Sequence, residues 1–320
     1  MLKPSSCIEL LSQMPPQIGM SSGKLVFQKS DERDIYNICA PFVFKGERLI
    51  AGRVEHRNCE CAEIVFFREE ETGWIPHPEA PILRSLQDPC VTLDGDTLII
   101  GGVKYPIPMA DGTMGWQMEF WKGNSFSDFN RFLVGPEKMK DIRLKRLSDG
   151  RVAIISRPQG GAAGMGKIGF TIAKDWDAVT PQLIAGAPVY EHLFRKDEWG
   201  GANELHLLKN GQLGVLGHIA YLTSGDVRHY HAMVFMIELE TGKATTPRII
   251  ARRMDFPEGP SKRPDLVDVI FSGGLVRHAD GRATLYAGLS DAEAGWLNMA
   301  DPFVAFEMNG STSQSATRNF

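Results

Sequence analysis

No apolar run in this chain approaches the roughly 20 residues that a membrane-crossing helix needs. The N-terminal stretch Ile8-Glu9-Leu10-Leu11 is too short and broken for a secretory leader. A positive excess is missing too. The chain has 35 Lys and Arg against 39 Asp and Glu, a formal net charge of −4, which argues against nucleic acid or an anionic membrane as the main partner. Cysteine is scarce: Cys7, Cys39, Cys59, Cys61 and Cys90 are odd in number and have no framework spacing, which fits a reducing compartment. Sustained helical periodicity is absent, and no linker divides the chain. These absences lead us to expect a soluble, cytoplasmic protein that forms a single domain over residues 1–320 and needs neither metal nor cofactor.

What is present is repetition. From Ala40 onward, apolar alternation runs into a turn ending in glycine, and a second apolar stretch leads to a polar or small residue. The turns are Lys45-Gly46, Asp94-Gly95, Asp149-Gly150, Asn210-Gly211 and Asp280-Gly281, spaced by 49, 55, 61 and 70 residues. Glycine accepts the positive φ that such hairpins require. Counting seven residues past each glycine gives Arg53, Gly102, Arg157, His218 and Gly288, and counting seven back gives Cys39, Asp88, Arg143, Glu204 and Gly274. Each hairpin is followed by a further strand-like run, at 63–67, 116–121, 167–172, 233–237 and 302–306. The spacing suits four-stranded blades, so the expected fold is all-β, a five-bladed β-propeller, with a strand at 25–28 completing the last blade and a frayed polar tail at 309–320.

In a propeller the open ends of the hairpins share one mouth. That mouth should gather Arg53, Asp88, Arg143, Arg157, Glu204 and His218, together with Asp141 and Asp291. Guanidinium forks match phosphate oxygens in pairs, and carboxylates accept from sugar hydroxyls, so the mixture suits a polyhydroxylated, anionic ligand. The alternative is a set of salt bridges between blades, which stays open for Arg53 with Glu55. Gly161–Lys167 imitates a phosphate loop and Gly164–Gly169 a dinucleotide fingerprint. Both are rejected, because Ile168–Ile172 alternates like a strand where a helix should begin. His229-Tyr230-His231 lacks a third metal ligand and Cys59-Glu60-Cys61 lacks a second pair, so neither reads as a zinc site.

In order along the chain, Tyr36-Asn37, Ala51-Gly52-Arg53-Val54-Glu55, Gln87-Asp88-Pro89, Ile155-Ser156-Arg157-Pro158, Leu216-Gly217-His218, Val269–Gly274 and Leu285–Asp291 resemble the motifs of glycoside hydrolase family 130. The whole is closer still to glycosyltransferase family 108, formerly domain of unknown function family 1861. The resemblance implies a five-bladed propeller acting on β-mannosides by inversion, as a β-1,2-mannosyltransferase or phosphorylase. Its partners would be an oligosaccharide, phosphate, and a sugar phosphate or nucleotide sugar. It implies Asp88 as the general acid; Asp141, by its place two residues before Arg143, is the nearest rival for that role. Arg53, Arg157 and His218 would hold phosphate or sugar, Asp291 would be a sugar-binding acid, and Asn37 would join the substrate contacts. Two departures stand out: Cys90 where the family has Arg after Asp-Pro, and Gly217 where a Tyr commonly precedes the histidine.

One acid suffices for phosphorolysis, since phosphate arrives already anionic. Inverting hydrolysis needs a second carboxylate to activate water, for which Glu204 and Asp291 are the candidates. A glycan- or protein-binding propeller without turnover is the remaining alternative. The loop Gln159–Gly166 has few side chains to pin it; it is either an ordinary blade connection or a lid over the donor phosphate with Lys167 adding charge.

Overall fold

The computed structural model describes residues 4–15, 19–28 and 31–309; the expected tail beyond Asn309 lies outside them. Five antiparallel blades follow one another along the chain. Blade 1 pairs Asp34–Tyr36 and Phe42–Phe44 with Glu47–Glu55, then adds Glu63–Glu70 and the outer pieces Gly73–Pro76 and Leu83–Arg84. Blade 2 is Leu86–Asp94, Thr97–Pro108, Met114–Gly123 and Asn130–Glu137. Blade 3 has only Arg143–Arg146, Val152–Ser156 and Gly169–Ala173. Blade 4 is Glu198–Leu207, Leu213–Thr223, Val227–Ile237 and Arg248–Ala251. Blade 5 is Asp268–Arg277, Arg282–Leu289 and Glu293–Ala300, completed by the N-terminal strand Ser21–Lys24. Apolar faces of neighbouring blades pack on one another, as where Leu49, Ile50, Phe66 and Phe67 meet Leu86, Leu98 and Ile100.

Two strand expectations move. The last blade is closed by Ser21–Lys24 rather than by 25–28, while Phe27 makes a parallel bridge to Trp74 of blade 1. The run 302–306 is not an outer strand: Val304–Asn309 is helical, and Glu293–Ala300 takes the strand's place. Asp301 starts the turn by accepting from the Phe303 amide at 2.9 Å, and Phe303 is wholly buried. A short apolar run fits a helix turn as well as a strand.

Turn length sets what reaches the mouth. Lys45-Gly46 is a two-residue turn with φ of 51° and 83°, and Asp94 pairs directly with Thr97 around Gly95-Asp96. The other three hairpins have three-residue turns. Leu147 N donates to Arg151 O at 2.8 Å, Leu208 N to Gln212 O at 2.9 Å, and His278 N to Arg282 O at 2.8 Å. In each, the Asp or Asn side chain accepts from the amide two residues on: Asp149 from Arg151, Asn210 from Gln212, Asp280 from Arg282. The extra turn residue shifts the count across the hairpin by two. Arg143 therefore pairs with Ile155, and Glu204 with Leu216.

Candidate active site

A cavity of about 240 Å³ opens where the inner strands end, lined by Asn37, Arg53, Asp88, Asp141, Arg157, His218 and Asp291 among others. Four of the residues lining it occupy strained backbone. Asn37 (φ 44°), Asp88 (φ 52°), Asp141 (φ 56°) and Asp291 (φ 52°) are all left-handed. Asn and Asp tolerate this conformation better than other side chains, and such residues gather where function over-determines the backbone. Asp88 lies within the bulge between Gln87 and Cys90, where Asp88 and Pro89 together face Gly102 and the one extra residue breaks the regular alternation.

One wall is crowded with acid. Asp88 Oδ1 accepts from Asn37 Nδ2 at 2.8 Å and from Arg53 Nη1 at 3.2 Å, while its Oδ2 has no hydrogen bond among the described residues. Arg53 Nη2 donates to both oxygens of Glu55 at 2.9 and 3.0 Å and to Glu60 at 2.8 Å. Lys262 joins Glu55, Glu60 (3.1 Å) and the Tyr36 hydroxyl (3.3 Å). Burial pulls the Arg53 pKa down, but the carboxylates around it, Asp88 foremost, hold it well above its ordinary value. Removal from water pushes the Asp291 carboxyl up; Arg53 opposes this and Asp88 adds to it. Glu60 sits in the loop closed by a Cys59–Cys61 disulfide, so the cysteines include one pair despite their spacing.

The facing wall is built differently. Arg157 Nε lies 3.3 Å from Asp141 Oδ2 and donates to the Gly200 carbonyl at 2.8 Å; Nη2 donates to Met165 O at 3.1 Å. Its Nη1 is buried and without a partner among the described residues. Burial pushes the Asp141 carboxyl up, yet Arg157 and then His218 hold it below its usual range. His218 Nδ1 meets Asn203 Oδ1 at 2.9 Å, an oxygen that also accepts from Ser272, and its Nε2 is 4.0 Å from Asp141. Burial takes its pKa down to about 3, so the imidazole is neutral at physiological pH. Lys140 lines the same cavity without an ion pair among the described residues.

Seven of the nine expected site residues meet here, and two do not. Arg143 is spent on the carbonyls of Asn203 (2.6 Å) and Ile142 (2.9 Å) and lines a narrow neck with Cys90 and Gly101. Glu204 accepts from the Leu275 amide at 2.7 Å, lies 2.8 Å from His206 Nε2, and lines a vestibule nearer the hairpin turns. Both sit about 7 Å deeper than the count implied, because the three-residue turns slide them two positions along their strands.

The family described as Protein of unknown function (DUF1861) matches residues 15–305. The chain belongs to that family. A search of curated proteins found no match. Among solved structures, the DUF1861 chain is similar to MPT-4, a mannose phosphorylase from Leishmania mexicana in complex with phosphate ion, at 30% identity and a TM-score of 0.82 over 93% of this chain and 92% of that one. It is similar to MPT-1, a GDP-Man-dependent mannosyltransferase from the same organism, at 29% identity and a TM-score of 0.78 over 89% and 91%. Beta-1,2-mannobiose phosphorylase from Listeria innocua shares the fold at 13% identity and a TM-score of 0.59, over 93% and 96%.

The two departures have packing reasons in the DUF1861 chain. A side chain at 217 would collide with the Gly201 carbonyl, so no Tyr fits there; instead Tyr230, from the neighbouring strand, stacks on His218 with ring centres 5.4 Å apart. Cys90 is buried, and burial raises its thiol pKa, which removes it as a nucleophile. Sequence reasoning missed Lys140, adjacent to Asp141, and discounted Tyr230 as part of an outer-strand histidine pair. The glycine-rich loop is better held than expected: Met165 O accepts from both Arg157 and Gln159, and a side chain at Gly166 would come within 2.6 Å of Arg157 Nη2. Lys167 is paired with Glu191, so it is not the free charge that was expected.

Proposed function

We propose that this protein is an inverting β-1,2-mannoside phosphorylase and mannosyltransferase of mannan-type oligosaccharides, with mannose 1-phosphate or GDP-mannose as donor. The observation that carries the reading is the asymmetry of the two walls. A carboxylate with one free oxygen, Asp88 Oδ2, shares the cavity with Arg157, whose Nη1 has no partner, and with Lys140, which has no ion pair among the described residues. The similarity to a mannose phosphorylase and a mannosyltransferase supports the same chemistry.

In phosphorolysis, protonated Asp88 gives its proton to the glycosidic oxygen, directly or through a sugar hydroxyl. A phosphate oxygen held by Arg157 and Lys140 forms the new bond to the anomeric carbon as the C–O bond breaks, and the configuration inverts. In synthesis the acceptor hydroxyl attacks that carbon, its proton goes to Asp88, and the phosphate or nucleotide leaves toward the cationic wall. His218, being neutral, accepts from a hydroxyl rather than supplying charge.

Inverting hydrolysis would need a carboxylate across the sugar to activate water. Glu204 is outside the cavity, Asp291 stands beside Asp88 on the same wall, and Asp141 is engaged by Arg157 with its basicity lowered. The test is to incubate the purified protein with mannose 1-phosphate or GDP-mannose and β-1,2-mannobiose, following chain length and phosphate. Extension with phosphate or GDP release is expected. Free mannose as the main product would turn the reading to a mannosidase, and no turnover to a binding propeller.

A further inference from the structure

The disulfide between Cys59 and Cys61 encloses one residue, Glu60. A crosslink stabilises a fold through the length of chain that it closes, so a bridge across a single residue does almost nothing as a staple. What it fixes is where that residue points. Glu60 accepts from Arg53 Nη2 at 2.8 Å and from Lys262 Nζ at 3.1 Å. It lines the active-site cavity, beside Asp88 and Asp291, and also a neighbouring cavity of about 310 Å³ edged by Tyr105 and Trp116. The loop's carbonyls are gripped from the same side. Cys59 O accepts from Lys262 at 3.3 Å, and Glu60 O from Nε2 of Gln87, the residue before Asp88, at 3.3 Å. The sulfurs themselves are open to reagents: Cys61 is exposed and Cys59 partly so. Cys7, Cys39 and Cys90 are buried, and burial pushes their thiol pKa values up. An accessible cysteine with its resolving partner alongside is the arrangement that redox-sensing pairs share.

We propose that Cys59–Cys61 is a thiol–disulfide exchange site. Its oxidation holds the Glu60 carboxylate in the mouth and its reduction releases it, so that anionic substrate binds more tightly to the reduced protein. The anionic substrate is taken from the function proposed above. The reductant is a low-molecular-weight thiol. Its thiolate attacks the exposed Cys61 sulfur, forming a mixed disulfide and expelling the Cys59 thiolate, which takes up a proton. A second thiolate then attacks the small molecule's sulfur in that mixed disulfide and frees Cys61, so two electrons enter the pair and the reductant leaves as its own disulfide. Once the bridge is open, Glu60 regains its backbone freedom. Its side chain is 45% exposed, and ion pairs in such a setting hold a mobile side chain weakly. The rest of the wall stays in place, because Arg53 keeps Glu55 and Asp88, and Lys262 keeps Glu55. Reduction therefore removes one negative charge from the mouth without dismantling the support of Asp88.

The test prepares the full chain in two states, reduced with dithiothreitol and oxidised with glutathione disulfide. Each cysteine is mapped by alkylation and mass spectrometry, and inorganic phosphate is titrated onto both states by calorimetry, with no sugar present. Dithiothreitol should expose thiols at Cys59 and Cys61, and glutathione disulfide should remove them again. The reduced form should bind phosphate about fivefold more tightly, the scale of one exposed charge. Glu60→Gln should bind at the tighter value in both states. The double variant Cys59→Ser, Cys61→Ser should stay at the reduced value whatever the redox conditions; if it does not fold, wild type and Glu60→Gln carry the same comparison. A pair that does not re-form its bridge would overturn the proposal, as would a redox response that survives in Glu60→Gln. Equal, measurable phosphate affinities in the two wild-type states would bring down the coupling alone. Neither phosphate binding nor turnover in either state would bring down the function proposed above together with the coupling.

Discussion

Arg53 and Arg157 stand at the same step, seven residues past the turn glycine of their hairpins, and are equally buried at 5% and 2% exposure. Their surroundings make them different groups. Arg53 is surrounded by Glu55, Glu60 and Asp88, which occupy both its terminal nitrogens and leave only Nε without a partner among the described residues. Arg157 has one carboxylate and two carbonyls, and one nitrogen remains unpaired. A guanidinium already neutralised by its own chain holds acids in place; one held by carbonyls keeps charge for a ligand. Both arginines were expected to bind phosphate; under the proposed function that work falls to Arg157, while Arg53 holds Asp88.

The harshest way to test the contrast is to remove Arg53. Arg53→Met should strip a buried cation from three carboxylates and destabilise the fold by about 3–5 kcal/mol, measured by denaturant unfolding. A near-neutral result would mean that those acids do not depend on it. Next in size, Asp88→Asn should lower kcat at least about a hundredfold with the fold retained, the usual scale of general acid–base help, and Asp141→Asn should cost less. The reverse order would transfer the proton role to the other wall. Arg157→Lys keeps the charge but loses the fork, so the KM for phosphate and for mannose 1-phosphate should each rise about tenfold. Phosphate kinetics unaffected by Arg157→Lys would mark a structural arginine.

Protonation offers a gentler probe of the Arg157 wall. His218 has a folded-state pKa lowered to about 3, so between roughly pH 6.5 and 3 the unfolded chain binds a proton that the folded one refuses. Stability should therefore fall as pH drops through that window, and His218→Gln should flatten part of the slope. His231, lowered to about 4 by burial, should contribute a similar share. An unchanged slope in His218→Gln would mean that this histidine is not buried neutral. The smallest effect belongs to Glu204→Gln, which should leave kinetics within about twofold of wild type, because Glu204 lies outside the cavity.

The chain alone determined a good deal. Glycine at each turn and alternation on either side are local requirements of hairpins, so five blades were legible without any contact being known. Asp88, Arg157 and His218 were reachable by counting along strands, because strand geometry carries a residue number into a position. What only the tertiary structure decided depends on one-residue differences and on neighbours far apart in sequence. A three-residue turn instead of two slid Arg143 and Glu204 out of the mouth, yet both turn lengths are written with the same Asp-Gly or Asn-Gly signal. Whether Arg53 is spent or free depends on Glu60 and Asp88, brought to it by other segments. Tyr230 and Trp116 read as ordinary strand residues until a short parallel pairing of blade 4 with blade 5 and a bulge in blade 2 brought them into the cavity linings. Hairpin geometry is short-range and therefore written locally, whereas saturation of charge and the aim of a side chain are properties of the assembled neighbourhood.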